Sequence, residues 1–272
     1  MSVISEVFAK LKSRGRRGFI PFITAGDPDL SATEQLLCEL AGAGADIIEV
    51  GVPFSDPVAD GPVIQRASER ALQRGTTLKS VLDCIAAAKR RSDVPIVLFS
   101  YYNPLLQFGL AQLATAAQRA GVDAVLVTDL VPEEADNWTA MLAANNLDPI
   151  FLVAPTTSDD RLRLIAERAR GFVYAVSRTG VTGARDEINE DAESLVRRIR
   201  EVTKLPIAVG FGISTAAQVR DVWRYADAAV VGSAIVNEVE RLTGDSDLVR
   251  GVGQFARSLV ASFDQQSLSH FN

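Results

Sequence analysis

Apolar residues along the chain gather in short continuous runs. Eight of these recur: FIPFIT at 19–24, DIIEV at 46–50, PIVLFS at 95–100, AVLVT at 124–128, PIFLVA at 149–154, FVYAV at 172–176, PIAVG at 206–210 and AAVVG at 228–232. Each is followed by a stretch in which apolar residues return at helical spacing. A strand with one wet face alternates apolar and polar residues. These runs do not, which predicts strands covered on both faces. Eight strand–helix units in about 250 residues predict a (β/α)8 TIM barrel, with a doubly wound open sheet as the competing arrangement. The first residues, MSVISEVFAKLKSRGRR, set Ile4, Val7, Phe8 and Leu11 on one face and predict an extra N-terminal helix. Ser31 with Glu34, and Thr157 with Asp160, have the spacing of capping boxes and predict two helix starts.

Two units are longer than the rest. The segment after strand 2 covers residues 51–76 and includes a short helical pattern, VIQRASERAL; the segment after strand 6 carries SRTGVTGARDEINED. Loops that follow strands meet at the C-terminal face of a barrel, where active sites are built, and long loops there tend to be functional. No linker or low-complexity segment interrupts the chain, so a single barrel domain over residues 1–272 is expected, with a loose polar tail from about 265.

Composition narrows the chemistry. With 272 residues, 47% of them hydrophobic, the chain can bury a large core. A formal charge of −6, with no long basic run, argues against nucleic acid and anionic membranes as partners. No apolar run approaches the roughly 18 residues of a membrane span, and the N-terminus lacks a signal-peptide core, so a cytoplasmic protein is expected. Cys38 and Cys84 stand on separate helical patterns and indicate neither a disulfide framework nor a metal site. The one histidine, His270, lies in the terminal SLSHFN, which argues against Ser–His–Asp, Cys–His and His-ligated metal chemistry. The five lysines, Lys10, Lys12, Lys79, Lys89 and Lys204, lie on or beside helical patterns, not at strand ends, which argues against a Schiff base. Acid–base work is left to carboxylates or tyrosine.

Three constellations carry that chemistry. Gly210, Phe211 and Gly212 follow strand 7, and Gly232 with Ser233 follows strand 8 and leads into a helical pattern. Glycine lets backbone N–H groups approach an anion, and loops 7 and 8 form the usual phosphate site of a barrel. Gly183 could close over that site from loop 6; the alternative is that these glycines serve only as turns. Glu49 interrupts the apolar run of strand 2, where burial should raise its pKa toward neutrality as a general acid–base requires, unless an arginine pairs with it. Asp60, before Gly61-Pro62, is placed to reach the same mouth. Asp56, between Ser55 and Pro57, reads as structural or partner-facing, and turn chemistry alone could explain either aspartate. Phe22, Phe99, Tyr101, Tyr174 and Phe211 lie at one end of the strands, and together they indicate a substrate aromatic at one end and phosphorylated at the other.

The stretch IEVGVPFSDPVADGP resembles the strand-2 motif of the tryptophan synthase alpha chain family. The likeness continues through PFITAGDPD, VLFSYYNPLLQFG, VYAVSRTGVTGAR and VGFGIS, from about residue 4 to about 262, with Thr179 where some relatives carry Ser. The resemblance implies a lyase that cleaves indole-3-glycerol phosphate into indole and glyceraldehyde 3-phosphate. It implies Glu49 as acid–base and Asp60 as the carboxylate facing the indole N–H. It places Phe22, Phe99, Tyr174 and Phe211 around the indole, Gly183, Gly212, Gly232 and Ser233 around the phosphate, and Thr182 on the loop that closes onto Asp60. It implies no cofactor in this chain and an α2β2 complex with a beta chain that carries pyridoxal phosphate, met through Pro53, Asp56, Pro57 and Arg178. A free-standing lyase, a non-catalytic barrel that activates a partner and a sugar-phosphate isomerase remain the alternatives.

Overall fold

A computed structural model describes residues 1–176, 185–210 and 212–261, with the side chains of 185–190 left aside. The tail from about 265, with His270, lies outside the described residues. Eight parallel strands close into a barrel in chain order: β1 (Gly18–Thr24), β2 (Ile48–Gly51), β3 (Ile96–Ser100), β4 (Ala124–Val127), β5 (Asp148–Val153), β6 (Val173–Val176), β7 (Ile207–Gly210) and β8 (Ala228–Val231). β8 returns to pair with β1, Gly18 opposite Ala228, which completes the circle and excludes the open sheet. Around the strands lie α1 (Val3–Ser13), α2 (Leu30–Gly42), α3 (Pro62–Gln73), α4 (Leu78–Lys89), α5 (Tyr102–Phe108), α6 (Leu110–Ala120), α7 (Asp136–Ala144), α8 (Asp159–Arg168), α9 (Arg185–Val202), α10 (Ala216–Trp223), α11 (Ser233–Leu242) and α12 (Leu248–Val260). Among the described residues no helix is long and apolar enough to cross a membrane.

The absence of alternation in the strands has the expected cause. One set of side chains, including Ile23, Val50, Leu98, Val125 and Val209, packs outward against the helices. The other set, including Ile20, Val97, Leu126, Ile150 and Val230, fills the inside of the barrel. The extra N-terminal helix stoppers the lower end: Ile4, Phe8 and Leu11 are buried in the inner cluster, and Phe8 meets Phe172 at 5.8 Å between ring centroids. Val7, placed on the same face by periodicity, is only half-buried.

Carboxylates close the lower rim. Asp46 accepts the backbone N–H of Phe19 at 2.9 Å, Asp123 that of Ile96 at 2.8 Å, and Asp227 that of Ile207 at 2.9 Å. Each aspartate precedes an even-numbered strand and bonds the start of the strand before it, so three neighbouring pairs are pinned in register. Asp148, at the start of β5, accepts instead from the hydroxyl of Ser2, the N-cap of α1.

Two helix starts differ from expectation. α2 begins two residues earlier than Ser31 allows, because the Asp29 side chain accepts the N–H of Ala32. α8 is capped by Ser158, which accepts from Arg161 N, and not by Thr157. The capping boxes that do form are Thr77 with Ser80 and Thr215 with Gln218.

Candidate active site

The upper end of the barrel is hollow. A cavity of about 390 Å³ is lined by residues from β1–β3, β5, β6 and β8, by Thr128 just after β4, by the loop after β2, by α3, and by the loops after β7 and β8. That is the size of a pocket for one small organic ligand. Glu49, Asp60, Phe22, Phe99, Tyr174, Gly212, Gly232 and Ser233 all line it. Arg178, Thr179, Thr182, Gly183 and Phe211 lie outside the described residues.

Glu49 sits in the middle of the wall, paired with Phe22 of β1 and Val97 of β3. It is 1% exposed, and its Oε1 has no hydrogen-bond partner among the described residues. Among the described residues no arginine forms the ion pair that could have made it structural. Burial, with nothing to offset it, pushes its pKa up to about 8. A carboxyl in that state is protonated at neutral pH and can give up or take back a proton at small cost.

Asp60 stands on the loop between β2 and α3. Its N–H closes a turn onto the Pro57 carbonyl at 3.0 Å, so turn chemistry is present as well. Burial raises its pKa to about 6, against a lowering hydrogen bond from the Tyr101 hydroxyl. The same hydroxyl accepts the N–H of Ala59 at 2.9 Å, and the Tyr101 ring lies 5.1 Å from that of Phe54. Tyr101 thus holds the loop from behind and does not line the cavity with the other aromatics. Asp56 is exposed and bonded to Ser55 at 2.5 Å. Pro57 is half-buried, while Pro53 is buried within the chain.

The aromatic wall is ordered by close packing. Phe22 and Phe99 meet edge to face, centroids 5.3 Å apart at 77°. Tyr174 is buried beside Glu49, and burial followed by the charge of Glu49 holds its hydroxyl proton firmly in place. Gly210 makes room for it, since any side chain there would collide with the Tyr174 hydroxyl. Gly232 lies beside Phe22, where the glycine-bearing end of the cavity begins. Gly212 adopts φ +70°, a conformation that side-chain-bearing residues avoid. Gly232 is the N-cap of α11, with no side chain bonded over the helix end, and Ser233 opens the helix. A helix start with no side-chain cap, aided by the helix dipole, favours an anion.

Sequence reasoning missed much of the apolar lining: Val63 and Ile64 of α3, Thr128, Leu152, Val176 and Val230. Strand alternation counted from Glu49 and Tyr174 through the barrel register would have found Leu152, Val176 and Val230. Among the described residues no group of three or more His, Cys, Asp or Glu is placed to hold a metal ion.

A TIM barrel that gathers two pKa-raised carboxylates, aromatic side chains and an uncapped helix start in one cavity at its C-terminal face has the groups for acid–base chemistry on a small organic ligand. The model of the tryptophan synthase alpha chain family matches residues 8–262, and the chain belongs to that family. It is 53% identical to the tryptophan synthase alpha chain of Geobacter sulfurreducens over 95% of this chain and 98% of that one. The alpha chain of Burkholderia thailandensis is 48% identical, with 97% of each covered. Among solved structures, the Legionella pneumophila alpha subunit superposes with a TM-score of 0.89 at 34% identity, covering 97% of this chain and 99% of that one. A Mycobacterium tuberculosis tryptophan synthase structure in an aminoacrylate-bound form gives 0.85 at 35% identity, with 95% and 100% covered.

Proposed function

We propose that Glu49 and Asp60 carry out the acid–base chemistry of this chain. The chain is a lyase of tryptophan biosynthesis that cleaves indole-3-glycerol phosphate to indole and glyceraldehyde 3-phosphate. The single observation behind the assignment is Glu49, buried, unpartnered at Oε1 and lining the same cavity as Asp60. Protonated Glu49 delivers its proton to indole C3. Positive charge then develops at the ring nitrogen, where the Asp60 carboxylate stabilises it. Glu49, now ionised, takes the proton of the side-chain hydroxyl. The carbon–carbon bond breaks, its electron pair returns to the ring, an aldehyde forms, and Glu49 ends protonated as it began.

Phe22, Phe99 and Tyr174 surround the indole in this reading. Gly212, Gly232 and Ser233 hold the phosphate at the start of α11. Thr182, Gly183 and Phe211 are assigned to the same site by family resemblance. Asp56, Pro57, Pro53 and Arg178 are assigned to the surface that meets a beta chain in an α2β2 complex. The chain needs no cofactor of its own in this reading, with pyridoxal phosphate held by the beta chain, and it works in the cytoplasm. The deciding experiment is indole release from indole-3-glycerol phosphate, measured with and without a beta chain. Weak release that rises on mixing is expected. No release in either arm overturns the reading, and full turnover without a beta chain assigns a free-standing lyase instead.

A further inference from the structure

We propose that Arg70 is a positioning residue of this site, fixing where Asp60 stands over the cavity; the inference rests on the role given to Asp60 above. Asp60 is followed at once by Gly61 and Pro62, the N-cap and first residue of α3. Gln65, in the next turn, donates to the Asp60 carbonyl at 2.8 Å. Asp60 therefore travels with α3, and whatever seats α3 seats Asp60.

α3 packs on the barrel through half-buried Val63 and Ile64 and through buried Ala67, Ser68 and Ala71. Ala67 and Ala71 are fully buried, Ala67 in one cluster with Phe22 and Val236. A polar grip at the helix edge adds to this packing. Arg66 and Arg70, one turn apart, face the same way. Arg70 places Nε and Nη2 on the two oxygens of Asp27 at 2.8 Å each, and Nη1 on Glu240 at 2.8 Å. Arg66 forks onto Glu240 at 2.9 and 2.7 Å. Asp27 is 2% exposed, on the loop that follows β1, the strand of Phe22. Glu240 belongs to α11, the helix whose first residue lines the anion seat. One guanidinium thus ties the helix that carries Asp60 to the aromatic wall on one side and to the phosphate helix on the other. The planar fork fixes direction as well as distance, which an ammonium group cannot do.

The test is steady-state indole release and its pH profile in the full chain, with beta chain present. Arg70→Met is combined with Asp27→Asn so that no buried charge is left unpaired. Misplacement of Asp60 should lower kcat about tenfold to a hundredfold with KM nearly unchanged. The acid limb of kcat/KM, set by Asp60, should move down as the carboxylate becomes better solvated. Arg70→Lys should recover less than half of the loss. If the double variant does not fold, Glu240→Ala, which cuts the α11 arm at a partly exposed site, should lower kcat about threefold and move the limb the same way. An unchanged kcat, a loss of kcat with the acid limb unmoved, a rise in KM alone, or full rescue by lysine each overturns the proposal. Absence of indole release from the unsubstituted chain would overturn instead the function on which it rests.

Discussion

The two ends of this barrel hold carboxylates in opposite ways, half-buried at the lower rim and buried at Glu49. At the lower rim, Asp46, Asp123 and Asp227 each receive the N–H of a strand start. Lys89 stands 3.4 Å from Asp123, and Arg17 and Arg200 flank Asp227. Burial raises the pKa of Asp46 and Asp123, and the strand N–H and neighbouring cation draw it part of the way back. At the upper end Glu49 has burial and, among the described residues, nothing to counter it. A buried carboxylate that the fold satisfies contributes to stability; one that the fold leaves unsatisfied destabilises the protein and is available for chemistry.

The largest expected effect comes from the unsatisfied end. Glu49→Gln should fold normally and lose roughly 10²–10⁴ in kcat, about 3–5 kcal/mol of barrier, measured by indole release. Near wild-type turnover would show that the isolation of Glu49 has no catalytic meaning. Its pH behaviour sharpens the contrast. The folded-state pKa of about 8 lies above the ordinary value of 4.5, so ionisation opposes folding, and stability is lost as pH rises from about 4.5 through 8. Denaturant titration at pH 9 should therefore find Glu49→Gln more stable than the unsubstituted chain. In kcat/KM the rate should fall above about 8, as Glu49 loses its proton, and below about 6, as Asp60 gains one.

The satisfied end should show the reverse. Asp123→Ala strips the bond from Ile96 N and the contact with Lys89, leaving a strand N–H unpaired at the rim. Unfolding in urea should show a loss of about 1.5–3 kcal/mol, the range for a hydrogen bond to a charged group, with kcat of the folded fraction within about twofold. A large fall in kcat with little change in stability would mean that the two ends are not separable.

How much of this could be read beforehand follows the same division. The strands were legible because continuous apolar runs have one explanation in a chain of this length, and their ends shifted by one or two residues where hydrogen bonding decided. Glu49 was legible because a carboxylate inside such a run is a local contradiction. Asp60 was ambiguous, since Asp-Gly-Pro also makes a turn, and it does make one. The helix starts at Asp29 and Ser158 were missed because several residues in each stretch can cap and only backbone geometry selects one. The lower clamps, the Tyr101 hold on Ala59 and the Arg70 fork to Asp27 join residues 20 or more positions apart. No local pattern records such bonds; closure of the barrel creates them.

The smallest effect should lie at the anion seat, which neither stabilises the barrel as the lower rim does nor moves a proton as Glu49 does. Gly212 holds φ +70° and lines the cavity beside Ser233 and Gly232. Gly212→Val would force a β-branched residue to abandon that conformation, turning the loop after β7 and its N–H groups away from the phosphate. The loss falls on binding shared by substrate and transition state, so KM should rise about tenfold while kcat holds within about twofold. Added inorganic phosphate should inhibit the unsubstituted chain competitively and the variant less. If KM does not move, Gly212 serves as a turn and the helix α11 end holds the phosphate unaided. If kcat falls in step with kcat/KM, the seat also orients the indole against Glu49, and the division between a binding end and a reacting end within the one cavity is lost.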